Sequence, residues 1–366
     1  MSRRTLLIVF CSTLLSGSLC RAEAPAGEKA ATRIVTDMAG RKVEIPANIH
    51  KVLCMSPTGT LLIYTLDPSM LLGWNYPPDA GERAYLAEPY RDLPTLGGWF
   101  GKDNTGNLEK IMQAHPDVLI SMDDAFAIAL AERVQGQTNI PVIILDGRLE
   151  RLPEAYEIAG KLLGNAPHAA ELAAECRRTL NEIKQKVAGI PQDKRRRYYY
   201  AEGPKGLETE SGGSMHVEAL NFAGGVDVAA GIPGQTGYGR SPVSMEQVLR
   251  WNPEIVISAR DHTTAASAFY KTVWTNSAWQ LVAAVRNREV YEAPQYPFSW
   301  LDRPPSANRI IGIKWLANLF YPEIFRYDMR QETRRFYETF YHVQLSEAQM
   351  DELLSTAVKT SAGKTK

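Results

Sequence analysis

The chain has 366 residues, 45% of them apolar and 22% charged, which is the composition of a soluble globular protein with material for two cores. With 41 basic and 41 acidic residues the formal net charge is zero. That balance excludes the basic footprint of a nucleic-acid binder.

Residues 1–22 read as an export signal. Arg3 and Arg4 give the positive start, Thr5 to Leu19 is mostly apolar but too short to span a bilayer, and small residues follow, with cleavage expected after Ala22 or Ala24. The short apolar form favours the general secretory route over the twin-arginine route that Ser2-Arg3-Arg4 loosely suggests. A periplasmic destination follows. Cleavage after Ala22 removes three arginines and no acid, leaving 38 basic against 41 acidic residues. Cys11 and Cys20 leave with the signal. Cys54 and Cys176 read as small buried hydrophobes, with a bridge between them as the alternative in an oxidising compartment.

Arg33 to Pro46 alternates around Met38-Ala39-Gly40-Arg41 and predicts a hairpin. KVLCMSP follows as a buried strand and TGTLLIYTL as a helix. Further strands are expected at Leu71–Trp74, Val118–Ile120 and Val142–Leu145, with helices between them. This alternation predicts a mostly parallel sheet, and residues 33–150 form a first lobe. Residues 151–190 are a helical link with a turn near Gly164-Asn165-Ala166-Pro167; its AAELAAECRRTLNEIKQKV is rich in strong helix formers and serves as a stiff spacer. Residues 195–325 repeat the plan as a second lobe. A strand at Tyr198–Ala201 leads into a Gly-rich loop, Gly203 to Gly213, then the helix HVEALNFAGG, a strand at Glu289–Tyr291, the loop APQYPFSWLDRPPS and the helix ANRIIGIKWLANLF. Residues 326–366 form a helical tail with a capping box at Ser346 to Gln349.

One sentence occurs twice. NLEKIMQAHPDVLIS, Asn107 to Ser121, returns as SMEQVLRWNPEIVIS, Ser244 to Ser258, an offset of 137 positions. Each copy has an N-cap residue, a short helix with apolar residues at helical spacing, a Pro that ends it, and an apolar strand. Two similar α/β lobes, each carrying the unit once, account for both copies.

In parallel sheets ligands sit beyond the carboxyl ends of the strands, so the loops that follow strands carry the candidates. They hold Tyr76, Trp99, Tyr238 and Trp300, and the arginines Arg240, Arg260 and Arg303. Arginine forks suit oxygen anions, and aromatic rings suit a large ligand. His216 and His262 lie beside these loops and are candidates for a metal or a haem iron. Asp123-Asp124 reads as a helix cap. No G-x-S-x-G, H-E-x-x-H, P-loop or C-x-x-C is present. Glu109 and Glu246 hold the same early helical position in the two copies and would give a symmetric pair of negative points for a two-subunit partner with arginine clusters.

Taken together, D-x-x-G-R-x-V-x-I-P (Asp37 to Pro46), VLCMSPTGTLLIYTL, the two repeats, A-G-G (Ala223 to Gly225) and W-L-D-R-P-P-S…G-I-K-W-L-A-N-L-F-Y-P-E resemble the periplasmic substrate-binding proteins of iron-complex and cobalamin ABC transporters, over roughly Arg33 to Phe325. The resemblance implies two α/β lobes joined by one long helix, with the ligand cleft between them and little closure. It also implies a monomer without enzymatic activity or a resident cofactor. Its partner is then a permease dimer in the inner membrane, on which Glu109 and Glu246 dock, and its cargo an iron complex, a siderophore or haem. Siderophore and cobalamin binders often carry Glu in the helix where this chain has TGTLL. The W-L-D-R-P-P-S segment and the tail RRFYETFYHVQLS look more like a subgroup that includes haem, molybdate/tungstate and nickel binders, so an oxyanion or nickel is the alternative cargo. A chelatase-like metal enzyme is the reading from another class; the export signal and the lack of a cluster-binding cysteine set oppose it.

Overall fold

A computed structural model of the protein describes residues 31–100, 105–122, 126–233, 240–259 and 268–358. Tyr238, Arg260, His262, Asp123-Asp124 and the export signal lie outside them.

The first lobe opens with the antiparallel hairpin β1 (Thr32–Thr36) and β2 (Lys42–Pro46). Its turn is built on buried Asp37, whose carboxylate accepts the backbone N–H of Ala39 at 3.1 Å and of Arg41 at 2.9 Å, while Gly40 takes a φ of +80°. The same carboxylate accepts Ile144 N–H at 3.2 Å and pins the hairpin to the lobe's sheet. Next come β3 (Val52–Cys54), α1 (Pro57–Leu66), α2 (Ala80–Arg83), α3 (Leu108–Ala114), β4 (Val118–Met122), α4 (Ala127–Thr138) and β5 (Val142–Leu145). β3, β4 and β5 lie side by side and parallel, and almost every residue in them is buried, as their unbroken apolar runs require. Leu71–Trp74 forms single parallel bridges to Val52 and Thr95 instead of a strand. Asn75 turns the chain there, its side-chain amide donating to Cys54 O at 2.9 Å and to Gly97 O at 2.8 Å.

Two helices follow, α5 (Leu152–Leu163) and α6 (Ala166–Ala188). Gly164, at φ +78°, ends the first. Gly160 lets the two helices touch: a Cβ there would lie 2.2 Å from that of Ala169. α6 buries Leu172, Cys176, Leu180, Ile183 and Val187 along one stripe. Cys54 and Cys176 are both buried free thiols, and burial pushes each thiol pKa up.

The second lobe comprises β6 (Arg197–Ala201), β7 (Glu208–Thr209), α7 (Glu218–Phe222), β8 (Val226–Asp227), β9 (Ser241–Pro242), α8 (Met245–Trp251), β10 (Ile255–Ser258), α9 (Ala268–Thr272), α10 (Ala283–Arg286) and β11 (Val290–Glu292). Its main sheet is parallel in the order β11-β10-β6-β8, and β7 pairs antiparallel with β9. The repeated unit holds in detail. Asn107 and Ser244 cap α3 and α8 from their side chains, His115 and Asn252 end them in the left-handed region, and β4 and β10 follow. The acid after each Pro ties down another strand's entrance: Asp117 accepts Lys51 N–H and Glu254 accepts Arg197 N–H, both at 2.9 Å.

α11 (Arg309–Phe320), α12 (Met329–Phe336), a π-helical turn at Tyr337–Tyr341 and α13 (Glu347–Leu354) complete the chain. α11 is almost wholly buried. At Gly312 a Cβ would lie 1.9 Å from the Trp300 carbonyl oxygen, so only glycine fits. The tail binds both lobes. Tyr64 donates to Tyr341 O at 3.0 Å and Tyr85 to Glu352 Oε2 at 2.8 Å in lobe one. Glu292 N–H donates to Thr356 O at 3.1 Å in lobe two. On α6, buried Glu175 accepts Arg335 at 2.8 Å.

Candidate functional site

The carboxyl ends of β3, β4 and β5 feed the segments at Met55–Pro57, Met122 and Asp146–Gly147; those of β6 and β11 feed Glu202 and Ala293 onward. Hydrogen bonds join segments of the two lobes. Ser306 Oγ donates to Thr58 O at 3.0 Å. Arg309, fully buried, donates to Glu218 Oε2 on α7 and to the Gly147 carbonyl beyond β5. Glu218 Oε1 in turn accepts Leu149 N–H at 3.0 Å. A buried guanidinium thus holds segments of both lobes together.

The second lobe also carries a cluster of acids and bases. Glu202, at the end of β6, is 1% exposed, and Asp302 is fully buried. Arg303 Nη1 lies 2.8 Å from Glu202 Oε1 and also contacts Asp302 Oδ2, while its Nη2 lies 3.1 Å from Glu210 Oε1. Arg240 Nε donates to the same Glu202 Oε1 at 3.1 Å. His216 Nδ1 lies 3.1 Å from Asp302 Oδ2, and Tyr200 donates to Asp302 Oδ1 at 3.0 Å. The Arg303 and Arg240 side chains keep 20% and 19% of their surface in solvent. Burial pushes Glu202 up to about 7, helped by Asp302 and Glu210 and opposed by Arg303 and Arg240. Burial acts to raise Asp302 as well, but Arg303, His216 and Tyr200 outweigh it and hold that carboxyl at about 2. Two neighbouring carboxyl groups are thus driven in opposite directions.

The expected ligand residues divide. Arg240, Arg303 and His216 come together in this cluster. Trp300 is fully buried, its indole N–H donating to Tyr337 Oη at 3.3 Å in the core. Trp99 is half-buried on the first lobe: its backbone N–H donates to Met55 O at 2.6 Å, and its ring covers Gly106, where a Cβ would lie 2.5 Å from it. Tyr76, also half-buried, lies 6.4 Å from the Phe100 ring, and burial followed by Glu82 and Asp79 raises its hydroxyl pKa. Phe126 and Ile128 on the first lobe and Met215 on the second are exposed apolar side chains near the strand ends. Glu109 and Glu246 are exposed in the first turns of α3 and α8. Among the described residues no group of three or more His, Cys, Asp or Glu side chains is arranged to hold a metal ion. Sequence reasoning singled out neither Glu202, Glu210 and Asp302 nor Glu218 and Arg309. The signals available were an acid closing the strand YYYAE, an acid just before Arg303, and an arginine inside an otherwise apolar helix.

The profile of the periplasmic binding protein family matches residues 92–297, more than half the chain. A solute-binding protein of an ABC transporter from Sulfurospirillum deleyianum superposes with a TM-score of 0.81 at 32% identity, over 88% of this chain and 99% of that one. A periplasmic solute-binding protein from Veillonella parvula gives a TM-score of 0.73 at 22% identity, over 89% and 98% of the two chains. The molybdate-binding protein MolA of Haemophilus influenzae is 24% identical over 344 residues, which is 85% of this chain and 91% of that protein. Its molybdate-bound structure gives a TM-score of 0.67 over 86% and 99% of the two chains. No helix among the described residues is long and apolar enough to cross a membrane. With the family profile matched and the two-lobed parallel α/β plan in place, the chain belongs to the periplasmic solute-binding proteins of ABC transporters.

Proposed function

We propose that the protein captures an anionic metal species with outward-facing oxygen atoms and delivers it to the permease dimer of an ABC importer. A ferric chelate, siderophore or haem, is the first candidate. The observation that carries this reading is the pair Arg240 and Arg303, whose side chains, 19% and 20% exposed, stand at the carboxyl end of the second sheet. Their planar forks match carboxylate and other oxygen-anion edges. On the first lobe, half-exposed Tyr76, Trp99 and Phe100 offer contact area for an organic chelator. A bare oxyanion is the second reading. The likeness to a molybdate-binding relative over most of both chains favours it, and the arginines serve it equally.

Tryptophan fluorescence of the mature protein, titrated with a ferric siderophore, haem, molybdate and nickel, separates these cargoes. Saturable quenching by a ferric chelate or haem supports the first reading; a response to molybdate alone moves the assignment to the second. Arg303→Ala is expected to weaken binding at least tenfold, the scale of a lost charged hydrogen bond of about 1.5–3 kcal/mol. Unchanged affinity places the anion elsewhere.

Glu109 and Glu246 are the docking points in this proposal, and a monomeric protein presents both to one permease dimer. Replacing both by Ala leaves cargo affinity intact and abolishes uptake in cells. Uptake at the wild-type rate removes them from the interface.

A further inference from the structure

Glu202, Glu210 and Asp302 share Arg303, but they do not depend on it equally. Asp302 also has Tyr200 at 3.0 Å and His216 at 3.1 Å, and Glu210 has Ser214 Oγ at 2.9 Å. Glu202 has only arginines. Its Oε1 is held by Arg303 at 2.8 Å and Arg240 at 3.1 Å, and its buried Oε2 has no partner. Of the cluster's side chains, those of Arg303, Arg240 and His216 keep 20%, 19% and 20% of their surface in solvent, while Glu202, Glu210 and Asp302 are buried. An anion that seats there therefore competes with Glu202 for its whole complement of partners.

We propose that cargo capture draws Arg303 and Arg240 from Glu202 onto the anion, and that Glu202, buried without a countercharge, then takes up one proton from solvent. The inference rests on the reading of the cargo as anionic. A buried, unpaired carboxylate is costly enough that protonation is its ordinary escape. The charged groups facing Glu202 are Arg303, Arg240, Asp302 and Glu210, with Glu208 beyond Arg240 at 3.8 Å and Tyr199 and Tyr200 on its own strand. Once the arginines turn outward, the groups that face Glu202 are acids and phenols, which stabilise no second negative charge, and His216 stays beside Asp302 at 3.1 Å. Glu202 acts here as a positioning residue that does not touch the cargo. It lets the cleft accept an anion without accumulating net negative charge.

Calorimetric titration of the full mature chain with molybdate and with ferric citrate, at pH 8 in Tris and in HEPES, counts the protons. The expected result is uptake approaching one proton per bound anion at pH 8, fading towards pH 6, where Glu202 is already protonated. Affinity should then fall about tenfold for each pH unit above neutrality. Glu202→Gln should bind with no uptake and a flat pH profile. Wild-type binding without proton uptake at pH 8, or equal uptake by Glu202→Gln, overturns the inference. If neither anion binds, the anionic-cargo reading fails, and the proton is then tested without cargo. The double variant Arg303→Gln/Arg240→Gln, which leaves Glu202 no arginine, should show a protonated-carboxyl infrared band at pH 8 that disappears when Glu202→Gln is added. If the double variant does not fold, Arg303→Gln and Arg240→Gln, which each remove one partner, should each keep that band to a higher pH than the wild type does. A folded arginine-depleted chain with Glu202 still ionised at pH 8 overturns this part too.

Discussion

Arg309 and Glu218 show how a buried charge is held by fixed partners. Arg309 donates to Glu218, to the Gly147 carbonyl and, at 3.2 Å, to Ser306 O, while Glu218 holds Leu149 N–H. The pair replaces hydration with fixed partners from three segments, which is what makes a buried ion tolerable. Arg309→Met keeps the length of the stem but abandons Glu218 and the Gly147 carbonyl. It is expected to cost about 3 kcal/mol of stability, the low end for breaking a buried pair. A urea titration measures it; a loss below about 1 kcal/mol would mean that water already serves those groups.

At the scale of the element, the repeated helix-Pro-strand unit allows a controlled comparison. His115 and Asn252 occupy the same left-handed position, at φ 49° and φ 44°. A side chain is strained there and glycine is not. His115 is exposed and makes no side-chain hydrogen bond among the described residues, so His115→Gly should raise stability by about 0.5–1 kcal/mol. Asn252 Oδ1 accepts Ala283 N–H at 2.9 Å, so Asn252→Gly loses that bond and should gain nothing. Equal thermal shifts in the two variants would show that the hydrogen bond carries no weight. These units were legible in the sequence because their signals are local: a cap, a helical stripe, a Pro and an apolar run. The parallel sheets followed from the same alternation. The cleft was less legible. Trp300 looked like a ligand residue because it sits in a loop rich in aromatics, yet its indole lies in the core against Tyr337. Glu202 and Asp302 drew no notice because single acids beside strands and turns are common. Only the meeting of residues about 100 positions apart in the chain, Glu202 with Arg303 and Tyr200 with Asp302, gives them meaning.

At the scale of the whole molecule, the tail sets the mutual support of the two lobes. His342 sits where it meets α1, with Nε2 3.1 Å from Tyr64 O. Burial, with the nearby His168, lowers the His342 pKa from its ordinary 6.5, against the pull of the Tyr64 carbonyl. The folded state therefore prefers the neutral ring. That contribution to stability is complete above about pH 6.5 and is lost as the pH falls towards the depressed folded value. Glu202 slopes the other way: its raised folded pKa adds stability as the pH falls below neutrality. The informative quantity is thus the difference between wild type and His342→Gln, which keeps a donor and does not titrate. The melting temperatures should converge as the pH drops from 7 to 5. Parallel curves would place the titration of His342 outside the tail contact.

The bonds from Tyr64 to Tyr341 and from Tyr85 to Glu352 span 277 and 267 positions of sequence. Lobe one therefore cannot finish its own surface until Tyr341 and Glu352 have been made. Until then Tyr64 holds only its partners inside the lobe, the Ala87 N–H at 2.9 Å and the Trp74 ring, so this part of the native state closes late in synthesis. Ties that arrive this late favour a polypeptide bound for the periplasm, which is easier to thread before they form.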